Sequence, residues 1–127
     1  MPIVHDRVDM ELLRSVTIAN NAVTESIDCL QTGCIDEANL VIEVPAQPGL
    51  VAGKSVTVTL QGCETPDGTF AAVDGVSPLK VDGAAGGSAG KSLRLRFPVG
   101  CPRYVRAAVA VTADAVVTGS VTLSVQV

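Results

Sequence analysis

The sequence predicts an all-β fold, a jelly-roll-like antiparallel β-sandwich behind a short irregular N-terminal arm. Three observations predict it: apolar residues recur at every second position in run after run, Gly-, Pro- and Asp-containing turns separate the runs, and only one short segment has a helical period. A chain of 127 residues suits one domain, here residues 15–127, with residues 1–14 as the arm.

Taken in order, the arm carries the only helical hint, Asp9 to Arg14, about one and a half turns long. Val16 to Ile18 and Val23 to Ile27 are weak strand candidates, and Leu40 to Val44 is a stronger one. Val56, Val58 and Leu60 alternate with Thr57, Thr59 and Gln61, which predicts a strand with one buried face and one wet face. Phe70 to Val73 and Val76 to Val81 are short candidates, the second confined to a sheet edge by Pro78. Leu93, Leu95 and Phe97 alternate with Arg94 and Arg96. Val105, Ala107, Val109 and Val111 form the inner side of the next strand, with Tyr104, Arg106 and Ala108 opposite. The run Val121, Leu123, Val125, Val127 closes the chain.

Between these runs, Pro45, Pro48 and Gly49 break the chain. Asp67-Gly68, Asp74-Gly75 and Asp82-Gly83 suit tight hairpins, because both residues tolerate positive φ. Gly83 to Gly90 is rich in Gly and Ala and reads as a mobile loop.

Composition narrows the possibilities. Aromatic residues make up 2% of the chain and Trp is absent, so the core must be built from Val, Leu, Ile and Ala. Such side chains bury less area each, which predicts a thin core supplemented by contacts between copies, as a homodimer or homotrimer. No secretion signal or apolar run of membrane-spanning length is present, so the expectation is a soluble protein made in a cytoplasm. The four cysteines, Cys29, Cys34, Cys63 and Cys101, then read first as buried thiols, with disulfides as the alternative. The Cys29/Cys34 spacing occurs in zinc sites, but no second close pair follows, and no metal is expected.

Motifs for catalysis are weak. Gly90-Lys91-Ser92 resembles the end of a phosphate-binding loop, but the required first glycine is Ala85 and the segment leads into a strand. His5 is the only histidine and lies in the arm, and Asp67, Asp74 and Asp82 fit turn preferences and not a calcium loop. The expectation is that the protein is not an enzyme and uses no cofactor.

The charge distribution is more informative. Net charge is −4, yet Lys91, Arg94, Arg96, Arg103 and Arg106 supply five of the nine basic residues, with no acid between positions 91 and 106. A cationic stripe on an anionic body predicts docking to an acidic surface. Arginine pairs bidentately with carboxylates and Tyr104 adds rigid contact area. The competing reading is a solvated outer sheet face. Nucleic acid fits less well, because the chain is acidic overall and nearly lacks aromatic side chains for base stacking. A second docking candidate is the apolar group Met10, Leu12 and Leu13, which would pack on the domain itself or on a neighbour.

Three stretches carry a family resemblance. The first is Met10-Glu11-Leu12-Leu13-Arg14-Ser15 followed by Val23-Thr24-Glu25-Ser26-Ile27-Asp28. The second is Ser55-Val56-Thr57-Val58-Thr59-Leu60-Gln61, then Pro66-Asp67-Gly68-Thr69-Phe70. The third is Leu93 to Pro98, then Arg103-Tyr104-Val105-Arg106 and Thr118-Gly119-Ser120-Val121-Thr122-Leu123. Together they resemble the capsid cement, or decoration, proteins of short-tailed phages, the kind named after the Bordetella phage cement protein. The family's Phe-Ser-Asp near the N-terminus is missing here, and the cysteines are outside its pattern. The resemblance implies a homo-oligomeric sandwich on the virion exterior, bound over joints between major capsid subunits. It also favours the arm residues Met10, Leu12 and Leu13 as oligomer or capsid contacts, beside the stripe of Lys91, Arg94, Arg96, Arg103, Tyr104 and Arg106. The alternative is a β-sandwich adhesion module for a glycan or other surface ligand, which would have to work with no Trp and a single Tyr.

Overall fold

In a computed structural model, residues 8–28, 39–73, 76–96 and 102–126 are described. They form ten strands and, among the described residues, no helix. The strands are β1 (Val8–Thr17), β2 (Ala22–Val23), β3 (Ile27–Asp28), β4 (Asn39–Val44), β5 (Ser55–Cys63), β6 (Ala71–Ala72), β7 (Leu79–Asp82), β8 (Lys91–Arg96), β9 (Tyr104–Val111) and β10 (Ser120–Gln126). One sheet has the order β1-β10-β4-β8. In the other, β9 and β5 form the centre, with β2 and β3 along one side and β6 and β7 along the other. Every pairing is antiparallel.

The expected β-sandwich forms because alternation aims one side of each sheet at the other. Leu40, Ile42 and Val44 of β4 and Val121, Leu123 and Val125 of β10 meet Val56, Val58 and Leu60 of β5, Val81 of β7 and Val105, Ala107 and Val109 of β9 in one buried cluster. Burying a Val or Leu side chain fully contributes about 1.5–3 kcal/mol. Phe70 and Tyr104 are only half-buried and lie outside this cluster, so the described core is aliphatic, as the composition requires.

Three local expectations are corrected. Residues 8–14 were expected to be irregular, with a helical hint at Asp9–Arg14, but they belong to β1. Arg14 pairs with Leu123 and Val16 with Val121, so the long-range ladder along β10 overrides a weak local helical preference. Irregularity survives only as a register shift between Val8↔Gln126 and Leu13↔Ser124. Residues 1–7, His5 among them, lie outside the described residues.

The Asp-Gly pairs do not make tight hairpins where they are described. Gly68 closes a turn begun by Thr65, its N–H donating to Thr65 O at 3.3 Å, with Pro66 second and Asp67 third, the arrangement a type I turn favours. Gly83 continues the β5–β7 ladder instead of turning, donating to Lys54 O at 2.8 Å. Asp74-Gly75 lies outside the described residues.

The segment Gly83–Gly90, expected to be mobile, is docked. Ala84 N–H donates to Leu50 O at 3.1 Å, Ser88 N–H to Gln47 O at 2.8 Å, and Gln47 N–H to Ser88 O at 2.7 Å. Its glycines serve close approach: a Cβ on Gly83 would sit 2.0 Å from Val51 O, and one on Gly87, whose φ is +87°, 2.6 Å from Pro48 Cα. Gln47 ties this loop to a third one. Its side chain is fully buried, donates from Nε2 to Pro45 O (3.0 Å) and Thr118 O (2.8 Å), and accepts at Oε1 from Thr118 N–H (2.8 Å).

Candidate docking surfaces

The basic stripe, continuous in sequence, is divided by the fold. Strand β8 belongs to the β1-β10-β4-β8 sheet and β9 to the other, so the chain changes sheets between Arg96 and Arg103. Arg94 therefore faces away from the core on one side of the sandwich, and Tyr104 and Arg106 on the other. A single cationic surface is not formed.

On the first sheet, Arg94 pairs with Val41, Val41 with Ser124 and Ser124 with Leu13, a row across all four strands on the outer face. Thus one residue of the expected arm and one of the expected stripe share a row. Val41 and Ser124, between them, are buried although they face outward. Arg94 is exposed. Arg96 pairs with Asn39 in the next outward position, and its side chain lies outside the described residues. Met10 and Leu12 are on β1, with side chains likewise outside the described set.

Lys91 does not share the Arg94 face. Three residues apart on a strand means opposite faces, and Lys91 pairs with the inward Val44. Its Nζ donates to Lys80 O at 2.9 Å on β7, crossing from the edge of one sheet to the edge of the other. Lys91 is a tie between sheets and leaves the docking stripe.

On the second sheet, Arg103, Tyr104 and Arg106 are brought together, and each arginine is held. Arg103 donates from Nε to Asp28 Oδ1 (3.0 Å) and from Nη2 to Asp28 Oδ2 (2.9 Å). Its Cζ lies 5.1 Å from the Tyr104 ring centroid. Asp28 is positioned by β3, whose register sets it opposite Tyr104. The hydrogen bonds that Arg103 donates to Asp28 hold its guanidinium pKa above the ordinary value.

Arg106 is fixed by different groups. Its Nε donates to Oε1 of Gln61, its register partner on β5, at 2.9 Å. Its Cζ stands 4.3 Å from the Phe70 ring centroid, a cation–π contact. Beside it, β2 and β3 are one line along β9 interrupted by an extra residue: Val23 opposes Ala108, and Ile27 opposes Val105, four steps against three. Thr24 fills the break with its side chain. Its Oγ1 accepts from Ala107 N–H at 3.0 Å, while its own N–H donates to Ala107 O at 2.9 Å. The bulge and the β5–β6 turn form the walls of an open groove lined by Thr24, Glu25, Ser26, Pro66, Phe70 and Arg106.

Sequence reasoning singled out Arg103, Tyr104 and Arg106 but not Asp28, Gln61, Phe70 and Thr24, which hold or frame them. Gln61 was legible, since it ends the wet side of the β5 alternation. The others depend on which strands become neighbours, which alternation does not encode. Of the cysteines, Cys63 is a half-buried free thiol, and Cys29, Cys34 and Cys101 lie outside the described residues. Among the described residues no group of His, Cys, Asp and Glu is placed to hold a metal ion. No protein-family model matches the chain, and no curated protein matches it significantly.

Proposed function

We propose that this chain is a structural virion protein of the phage cement type, docking on the outside of an assembled capsid and stabilising joints between major capsid subunits. The fold supports this reading through its wrapping order. Counting β2/β3 and β6/β7 as one line each gives eight strands in which first pairs with last, second with seventh, third with sixth and fourth with fifth. That order is the one expected of a long hairpin rolled on itself and supports a jelly-roll reading, an architecture used in capsid proteins and lectins.

The observation that carries the proposal is the presence of outward arginine on both sheets, Arg94 on one and Arg103 and Arg106 on the other. A domain placed in a joint contacts more than one neighbour, and an outward arginine on each sheet suits an acidic group on each of two neighbours. Modest contacts become effective when repeated over a shell and linked through a homo-oligomer. The test is occupancy on purified shells stripped of this protein. Changing Arg94 and Arg106 together to Glu is expected to lower occupancy at least tenfold at physiological salt. Unchanged occupancy removes the arginine faces from the mechanism, and failure of the wild-type protein to bind any such shell ends the capsid reading.

A further inference from the structure

We propose that the groove over Arg106 is a receptor for a single carboxylate, an Asp or Glu side chain on an acidic segment of the protein this chain docks on. The identity of that partner rests on the docking function proposed above; the site itself rests on the groove. A guanidinium has five N–H donors. That of Arg106 uses Nε on Gln61 and its face on Phe70, and the N–H groups of Nη1 and Nη2 have no partner among the described residues. The head group is thus fixed while its fork, the part that matches a carboxylate, remains available. Ser26 lines the same groove, and its hydroxyl makes no hydrogen bond among the described residues, so it can supply a further donor. Holding the guanidinium before binding lowers the ordering cost of capture.

The groove also selects among anions. Glu25 is exposed at its rim and forms no ion pair with Arg106 among the described residues. It adds a negative charge that a monoanionic carboxylate tolerates better than a phosphate, which is partly dianionic at neutral pH. One guanidinium beside one carboxylate is too little positive charge for a nucleic-acid backbone. By contrast, Arg103 already has its carboxylate in Asp28, gripped through Nε and Nη2, whereas Arg106, with its Nε on Gln61, would take a partner's carboxylate end-on through Nη1 and Nη2.

The test uses the full-length, 15N-labelled protein titrated with N-acetyl-glutamate amide, and separately with inorganic phosphate at equal ionic strength. The arginine Nε–Hε and backbone amide resonances are followed. The expected result is a saturable shift at Arg106 Nε and at the Ser26 amide, with Arg94 and Arg103 unmoved and phosphate at least threefold weaker. Arg106→Gln abolishes the shift at Ser26. Phe70→Leu, which keeps the charge but loosens the head group, weakens binding at least threefold. Glu25→Gln strengthens it about twofold and brings phosphate closer to the carboxylate. Absence of a saturable shift, phosphate binding equal to or tighter than the carboxylate, or a Phe70→Leu protein that binds as well as wild type overturns the proposal. Shell occupancy separates the two ideas. Probe binding without shell binding sinks the capsid reading and keeps the site, whereas shell binding unaffected by Arg106→Gln, with no probe binding, sinks the site alone.

Discussion

Gln47, where three loops meet, has no exposed surface and uses both ends of its amide on Pro45, Thr118 and the Thr118 N–H. Arg106, on the outer face of β9, is held just as definitely by Gln61 and Phe70, but its Nη1 and Nη2 donors have no partner among the described residues and it lines an open groove. Both are polar side chains fixed by neighbours in a fold that is otherwise aliphatic. The difference lies in where the remaining hydrogen-bonding capacity goes. At Gln47 the capacity closes on the protein, and the result is stability. At Arg106 it opens to solvent, and the result is a surface prepared for something else.

The first way to break this comparison is at Gln47. Truncation to Ala leaves Pro45 O, Thr118 O and Thr118 N–H without partners and opens a cavity, which costs about 3–5 kcal/mol. A urea titration monitored by circular dichroism reads this as a large fall in midpoint. Gln47→Glu carries the same shape with a different sign of interaction. Its carboxyl would face two carbonyl acceptors and be held above its ordinary range. A group with a raised folded-state pKa contributes fully below its unfolded pKa and loses that contribution as pH rises. This variant is therefore expected to be most stable in acid and to weaken toward neutral pH, while wild type shows no such trend from this position. At Arg106, removal of the side chain is expected to change stability far less than removal of Gln47 does. If Arg106→Gln proves as destabilising as Gln47→Ala, the division between a closed and an open polar site is wrong.

Next in size is the glycine loop that Gln47 anchors. Gly83→Ala places a methyl group against Val51 O, backbone that cannot swing away, and is expected to cost about 2 kcal/mol. Gly86→Ala, three residues on in the same loop, meets nothing within 4 Å and has no positive φ. It is expected to be neutral or to stabilise by about 0.5 kcal/mol through the unfolded chain. Paired thermal melts of these variants distinguish a docked loop from a mobile one, since a mobile loop would tolerate both.

This contrast also explains which parts of the structure were legible in the sequence. Strands β5, β9 and β10 follow directly from alternation, because Val56–Leu60, Val105–Val109 and Val121–Val125 each bury one complete face. Edge placement of β7 followed from Pro78, and an aliphatic core followed from the scarcity of aromatic residues. Loop docking did not, because Gly and Ala are equally compatible with mobility and with close backbone approach; only the presence of Gln47 and Pro48 across the contact decides. All of β1 except its end at Val16 and Thr17 was hidden for a related reason, since its partner β10 lies more than a hundred residues away in sequence. The arginine stripe shows the same limit on the functional side. The face of each arginine within its strand was readable from period two, but the sheet to which β8 and β9 belong was not.

A smaller effect is expected at Thr24, which bridges the two kinds of site. Its hydroxyl accepts the Ala107 N–H inside the bulge, and its position forms the inner wall of the Arg106 groove. Thr24→Val keeps the shape but leaves that N–H without an acceptor, a loss of about 1–2 kcal/mol. Hydrogen exchange checks the local claim: the Ala107 amide should exchange faster in the variant, while the Thr59 and Ala108 amides, which face each other in the β5–β9 ladder, keep their protection. If Ala107 remains protected, the ladder bond does not depend on the Thr24 hydroxyl.

The smallest effect is expected at the Arg103–Asp28 pair, despite its bidentate geometry. Both groups lie on the outer sheet face with Arg103 substantially exposed, and solvent screening reduces what such a pair adds to folding. Arg103→Gln should therefore leave the urea midpoint close to wild type, and added salt should leave it equally unmoved. Its value as a comparison is that Asp28 already occupies the guanidinium fork. The protein's own carboxylate there predicts that N-acetyl-glutamate amide does not compete at Arg103, and that Asp28→Asn, which removes the charge but not the side chain, allows it to. Appearance of a saturable Arg103 Nε shift only in Asp28→Asn would separate an arginine already satisfied from one still open. A response at Arg103 in the wild-type protein would mean that internal pairing does not decide which arginine is available to a partner.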